Sequence, residues 1–282
     1  MKANSDLLVI GSNGFLGSTL VAELRADSAD RRQIDLTNLT RSSADEILGR
    51  GYRYVAICAA ATDIEFCYKN PKESHQINVL GTIELLEKVK RTGAVPIFFS
   101  SDYVFSSKEI PHQENDEKIP ATLYGKQKLE IEMHIEKNFE KYLIFRTSKL
   151  MSKNLHPKNI LKPIIEKLKE KKTIRLFEDQ WLNPVFVEDI ARVVRKSIEV
   201  ELNGVFHLGT KQMFTRAELG RVVANHFRFD LQLIHSSYMK EIVMSELRPN
   251  HNTLNCDKLE KAIHFKFTEV AGGLRSLQEL LK

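Results

Sequence analysis

Tyr124-Gly125-Lys126-Gln127-Lys128 sets a phenol and an ammonium four residues apart. On a helix those two positions share one face. A free tyrosine has a pKa of about 10. A neighbouring ammonium stabilises the phenolate and lowers that value, bringing the acid toward operating pH. Upstream, Ser100-Ser101-Asp102-Tyr103 closes an apolar run, Val95–Ser100. A hydroxyl there can hold an oxygen on which charge develops. A ketone that accepts hydride becomes an alkoxide and needs a proton, and this trio of Ser101, Tyr124 and Lys128 is suited to supply it. A third motif lies near the N-terminus, Gly11-Ser12-Asn13-Gly14-Phe15-Leu16-Gly17. Glycine permits a positive-φ turn and close backbone approach to a pyrophosphate. A helix that opens there adds unpaired N–H groups and partial positive charge.

Positioning these groups requires a particular order of elements. Leu7-Leu8-Val9-Ile10 is a short apolar run before the glycines, and Phe15–Ala26 follows with helical periodicity. Tyr54–Cys58, Val95–Ser100 and Tyr142–Thr147 read as further buried strands. Helices are expected from about Pro71 to Arg91 and from Thr122 to Glu136. Strands alternating with helices imply crossover connections and an α/β fold with a mostly parallel, doubly wound sheet of Rossmann type. Beyond Ser148 the pattern loosens. Lys158–Lys172, Val187–Val200, Arg216–Phe227 and Leu274–Leu281 read as helices, Thr173–Phe177 and Gly204–Leu208 as strands. The expected organisation is a dinucleotide-binding domain over 1–148, also taking in about 184–208. A smaller C-terminal α/β substrate-binding lobe is expected over 149–282. No Gly/Ser/Pro-rich linker separates the two.

A unit of this type usually carries an acidic residue about 20 positions past the glycines, bonding the adenosine ribose. Asp35, followed by Leu36, lies 18 past Gly17. The residues before it, Asp27–Ile34, make a poor strand, so the second strand is expected to be very short. Arg31 and Arg32 face either a 2′-phosphate or water, which leaves NADP and NAD both open.

The chain has 282 residues, of which 42% are hydrophobic, enough for a real core. Lys and Arg number 42 against 37 Asp and Glu, a net charge of +5. Both signs are interspersed and no binding motif accompanies the charge, which argues against nucleic acid. The basic stretch Lys158–Arg175 reads as the solvated face of an amphipathic helix. No apolar run is long enough to span a membrane, and none near the N-terminus suits a secretory signal. Three cysteines, Cys58, Cys67 and Cys256, cannot all pair and lack metal spacing, fitting a reduced, cytoplasmic compartment. The histidines, among them His75, His134, His207 and His226, show no ligand spacing, and no metal is expected.

These motifs resemble the extended short-chain dehydrogenases/reductases, and more narrowly the dTDP-4-dehydrorhamnose reductases. The resemblance covers nearly the whole chain. It rests on GSNGFLG at 11–17, AAAT at 59–62, SSDYVF at 100–105, IPHQENDEKIPATLYGKQK at 110–128 and LIFRTS at 143–148. It continues through DQWLNP at 179–184, VEDIA at 187–191, FHLG at 206–209 and LRPNHNTLN at 247–255. It implies NAD(P)H-dependent reduction of the 4-keto group of a nucleotide-diphosphate 6-deoxysugar, feeding a surface polysaccharide or glycoconjugate. It also implies Tyr124 as proton donor and cofactor contact, Ser101 on the carbonyl, and Lys128 on the nicotinamide ribose. Ala59, Ala60 and Ala61 would line the cofactor. Asp102, Tyr103, Asn183 and Arg248 would meet the substrate, Arg248 at its diphosphate. A homodimer is left open.

The sequence departs from the family where the pocket would be. Lys149 stands after LIFRTS, where the reductases usually place a large aromatic. Asp63-Ile64-Glu65-Phe66-Cys67 replaces the usual Val-Asp-x-x-Glu, and Cys58 a common Asn. Dehydratases of this kind carry an Asp-Glu pair where this chain has Asp102-Tyr103, which favours simple reduction. Two alternatives follow. The same fold and motif occur in the NADP-binding regulatory subunit of methionine adenosyltransferase. An epimerase would need a further acid/base pair, for which Cys67 and His75 are the candidates.

Overall fold

The computed structural model describes residue 3 and residues 5–280. Strands β1 (Leu7–Ile10), β2 (Asp27–Ala29), β3 (Tyr54–Ile57), β4 (Val95–Ser101) and β5 (Leu143–Thr147) come first. β6 (Leu150–Met151), β7 (Ile174–Phe177), β8 (Trp181–Leu182), β9 (Val185–Phe186), β10 (Gly204–Leu208), β11 (Phe214–Thr215) and β12 (Ile234–Ser237) follow. The helices of the first half are α1 (Phe15–Leu24), α2 (Ala44–Leu48), α3 (Ile64–Lys69), α4 (Pro71–His75), α5 (Gly81–Thr92) and α6 (Leu123–Asn138). Those of the second are α7 (Lys162–Lys169), α8 (Val187–Glu199), α9 (Arg216–Phe227), α10 (Asp257–Ala262) and α11 (Val270–Leu280).

Six strands form one parallel sheet in the order β10-β5-β4-β3-β1-β2. Side chains alternate between its faces, and each face has its own core. Val9, Phe99 and Phe145 join Phe15 of α1 and Val193 of α8 on one side. Leu8, Ile10, Phe98 and Ile144 join Leu85 and Val89 of α5 and Ile131 of α6 on the other. The strand order reverses between β1 and β3, which makes a crevice at their C-terminal ends. The parallel α/β architecture read from the sequence is therefore the one observed.

The second half returns to this sheet. β10 completes the edge beside β5, and α8 packs on α1. A separate apolar cluster lies outside the sheet, where Ile165 and Leu168 of α7, Val223 of α9 and Leu274 of α11 meet. Two details differ from the sequence reading. The helix expected over Pro71–Arg91 is interrupted by a π turn at Gln76–Leu80. Helix α3 was not foreseen, although Asp63 is its N-cap and accepts from the Phe66 N–H at 2.8 Å.

α6 and β5 are joined by a fully buried ion pair. Arg146 Nη2 donates to Glu132 Oε2 at 2.7 Å and Nε to Oε1 at 3.0 Å, with both side chains at 0% exposure. Nη1 donates to the Glu114 carbonyl at 2.9 Å, and the guanidinium lies 5.0 Å from the Phe105 ring centre. Removing one partner strands a buried charge, at a cost of about 3–5 kcal/mol. Arg146→Met is expected to lose stability of that size in urea denaturation. Arg146→Met combined with Glu132→Met is expected to recover a large part of it, because no charge is then left unpaired.

Candidate active site

The glycine turn occupies the crevice. Gly11 ends β1 at φ +83°, and a Cβ there would stand 2.6 Å from the Ala59 nitrogen. Only glycine lets β1 and the segment after β3 approach so closely. Helix α1 starts after Gly14, whose lack of a side chain leaves its first-turn N–H groups uncapped, and no acidic residue sits in that turn. This is an anion-binding arrangement. A cavity of about 660 Å³ runs from here to the ends of β4 and β5.

Most of the sequence candidates line it. They are Gly11, Asn13, Gly14, Phe15, Leu16 and Gly17, then Asp35 and Leu36, then Ala59, Ala60 and Ala61, and finally Ser101, Asp102, Tyr103, Tyr124 and Lys128. Ser12 is not among the lining residues; its N–H donates to the Ala29 carbonyl at 3.2 Å. Asn183 is buried elsewhere. Its Nδ2 donates to the Leu254 and Thr210 carbonyls at 2.8 and 3.1 Å, and its Oδ1 accepts from Leu254 N–H at 3.0 Å. That amide knits the second half together, and Asn183 is not among the residues that line the cavity. Arg248 stands outside the lining, where its Nη2 donates to Glu65 Oε1 at 3.2 Å.

Helix α6 sets the reacting groups. Its N-cap is Thr122, whose hydroxyl accepts from the Gly125 N–H at 3.1 Å. Gly125 packs on the Tyr103 carbonyl so tightly that a Cβ would lie 2.1 Å from its oxygen. This contact brings Tyr124 to the cavity, with the Tyr103 ring edge-on at 6.3 Å. Lys128, one turn on, donates from Nζ to the Phe99 carbonyl at 2.9 Å and lies 5.8 Å from the Tyr124 ring centre. Phenol and ammonium thus share one buried face, as their spacing requires. Ser101 Oγ donates to Asp102 Oδ1 at 2.8 Å and accepts from the Tyr103 N–H at 3.2 Å.

Electrostatics modify the sequence expectation. Burial, and then the charge of Asp102, push the Tyr124 phenol above its ordinary value, while a hydrogen bond with Ser101 opposes them. The expected lowering by Lys128 is not what dominates here. Lys128 itself is pushed down to about 8 by burial. Asp102 is raised to about 6, also by burial, against the opposing charge of Lys149.

Other residues escaped the sequence reading. Asp30, directly after β2, is buried and accepts Asn13 Nδ2 at 3.0 Å and Arg32 Nη2 at 2.6 Å. It anchors the glycine turn from the position where β2 ends, a signal that the poor strand concealed. Asn78, in the π turn, brackets Ala61 by accepting its N–H at 2.8 Å and donating to its carbonyl at 2.9 Å. It also donates to Gln127 Oε1 at 2.8 Å, tying the alanine segment to α6. No spacing rule would have found that link. Neither residue of the candidate epimerase pair lines the cavity: Cys67 is buried against Tyr124, and His75 faces Glu130.

Comparison with known proteins assigns the family. The model of the RmlD substrate binding domain matches residues 5–281, so the chain belongs to that family. A dTDP-4-dehydrorhamnose reductase of Sinorhizobium fredii is 28% identical over 271 residues, 90% of this chain and 90% of that one. Methionine adenosyltransferase 2 subunit beta of Pongo abelii is 26% identical over 290 residues, 91% of this chain and 82% of its own. A crystal structure of dTDP-4-dehydrorhamnose reductase from Bacillus anthracis in complex with NADP shares the fold. Its TM-score is 0.88 at 22% identity, covering 100% of this chain and 99% of that one.

The raised pKa of Asp102 has a signed consequence for stability. The folded state binds its proton more tightly than the unfolded state, so its contribution is fully present below about pH 4 and is lost as pH rises through 6. Asp102→Asn cannot titrate. Between pH 4 and 7 the wild type is expected to lose on the order of 3 kcal/mol relative to that variant, measured by urea denaturation at each pH.

Proposed function

We propose that this member of the RmlD substrate binding domain family reduces a keto group of a nucleotide-activated sugar with NADPH or NADH. The reference substrate is the 4-keto-6-deoxysugar that the resemblance implies, and the product would feed a surface polysaccharide or glycoconjugate. The single observation that carries the reading is the meeting of Ser101, Tyr124 and Lys128 at one end of a cavity whose other end is the glycine turn. The reductase names among the relatives, and the NADP held by the Bacillus anthracis reductase, support it.

The residues fit a dinucleotide. The uncapped N-terminus of α1 and the Gly11–Gly17 backbone would hold its pyrophosphate, Asp35 and Leu36 its adenosine end, Ala59–Ala61 its middle, and Lys128 its nicotinamide ribose. Bound there, it supplies the hydride. The chain's own residues do the rest. Ser101 donates its hydroxyl hydrogen to the keto oxygen in place of Asp102 Oδ1, its present acceptor. Tyr124 delivers its phenolic proton to the same oxygen as charge builds on it. Lys128 keeps a positive charge beside the resulting phenolate.

A second reading has a specific observation behind it, the likeness to methionine adenosyltransferase subunit beta. In that reading the dinucleotide is structural and the protein serves a partner enzyme. One substitution separates the two. Tyr124→Phe removes the proton and little else, so for a reductase kcat/KM is expected to fall 10²- to 10⁴-fold, while NADP⁺ affinity stays within about twofold. The assay follows absorbance at 340 nm with NADPH and dTDP-4-keto-6-deoxysugars, and binding is followed by calorimetry. Absence of turnover by the wild type, with a co-purifying partner unaffected by Tyr124→Phe, would favour the regulatory reading.

A further inference from the structure

Lys149 puts a positive charge where a neutral sugar offers hydroxyls but no opposite charge. Its backbone is fixed between β5 and β6, where its carbonyl accepts from the Val185 N–H at 3.0 Å. Its side chain lines the cavity beside Ser101, Asp102, Tyr103 and Tyr124, with Nζ 5.0 Å from the Tyr103 ring centre. Lys128, by contrast, spends a donor on the Phe99 carbonyl. Among the described residues, no hydrogen bond or ion pair engages Lys149 Nζ. Asp102 is the carboxylate it acts on, but beyond ion-pair distance, and that carboxylate already accepts from Ser101. The guanidinium of Arg216 adds positive charge to the same Asp102 and Tyr103.

A sugar seated with its keto oxygen at Ser101 and Tyr124 would cover this ammonium. A neutral ring would strip water from it and return only hydroxyl oxygens as acceptors, which leave its charge unanswered. A carboxylate on the ring would answer the charge and form an ion pair of low local dielectric. The diphosphate is the wrong candidate for this role, because Lys149 stands among the residues that meet the reacting end of the sugar.

We infer that Lys149 is a specificity-determining residue and that the sugar of the substrate carries a carboxylate. This rests on the nucleotide-sugar reading above and changes one part of it, the neutral C6 methyl of the reference 6-deoxysugar.

The test titrates the full chain, with NADP⁺ present, against glucuronate and glucose conjugates of UDP and of dTDP. Each pair differs only in a carboxylate for a hydroxymethyl at C6. The wild type is expected to bind the glucuronate conjugate roughly tenfold more tightly, the scale of one partly desolvated ion pair. Lys149→Arg is expected to keep the preference. Lys149→Met is expected to lose it while holding the glucose conjugate as well as the wild type or better. Circular dichroism and NADP⁺ affinity verify that each variant is folded. Equal affinities in the wild type, or a preference that survives Lys149→Met, would overturn the inference and leave the nucleotide-sugar reading standing. If no conjugate binds at all, that reading falls and the inference falls with it.

Discussion

Keeping an ammonium charged where water is scarce is the constraint on which the reacting end of this molecule depends. Lys128 is buried, and its Nζ has the Phe99 carbonyl as hydrogen-bond acceptor and the Phe98 ring 4.6 Å away. Burial lowers its pKa to about 8, while Glu132 among others acts to raise it. Glu132 is in turn held by Arg146 of β5. Tyr124, Lys128 and Glu132 therefore form one polar stripe down the inner face of α6, ending in a guanidinium on the sheet. The stripe explains why this helix stays in place although its buried face is far from uniformly apolar. It also explains why the ion pair beneath the site is so thoroughly enclosed: a carboxylate loosened there would change the charge felt by Lys128.

The same packing fixes the other end of the cavity. Gly11 at positive φ lets the backbone of β1 touch that of Ala59, and Asp30 holds the turn through Asn13. From Ala61 the connection runs through Asn78 to Gln127 on α6. The two ends of the cavity are thus joined by hydrogen bonds as well as by the sheet. A dinucleotide lying between them would meet groups whose separation is set by strands, not by loops. Precision of that kind is what proton delivery to a positioned oxygen requires.

Much of this was legible in the sequence, and the reasons are local. The glycine turn announces itself because glycine alone tolerates the backbone it must adopt. Tyr124 and Lys128 announce themselves because four-residue spacing has one meaning on a helix. The strands β1, β3, β4 and β5 are buried on both faces and so read as short, mainly apolar runs, broken only at their ends by Ser100, Ser101, Arg146 and Thr147. What stayed hidden depends on contacts between distant residues. Asp30 could not be singled out while β2, three residues long, gave no strand signal. Asn78 matters through a partner 49 positions away. The resemblance alone put Asn183 at the substrate, and the distant Leu254 and Thr210 carbonyls that take both hydrogens of its amide leave no mark in the sequence. The sequence also suggested that Lys128 would govern the acidity of Tyr124, whereas burial and Asp102 do, since both are properties of the enclosure.

That last difference bears on direction. A phenol held above its ordinary pKa keeps its proton throughout the neutral range. In reduction the acceptor is an alkoxide, a stronger base than an ordinary phenolate, and the upward shift of Tyr124 narrows that margin. In oxidation the same side chain would have to begin as a phenolate, and both the burial and the charge of Asp102 oppose that form. Lys128 offsets them only while protonated, and its lowered pKa limits that help on the alkaline side. The enclosure therefore favours the protonated phenol as the resting form, the form from which a reduction starts. The same enclosure that keeps the proton on Tyr124 also makes it a weaker acid, so delivery relies on the charge that builds on the oxygen and on the hydroxyl of Ser101 beside it.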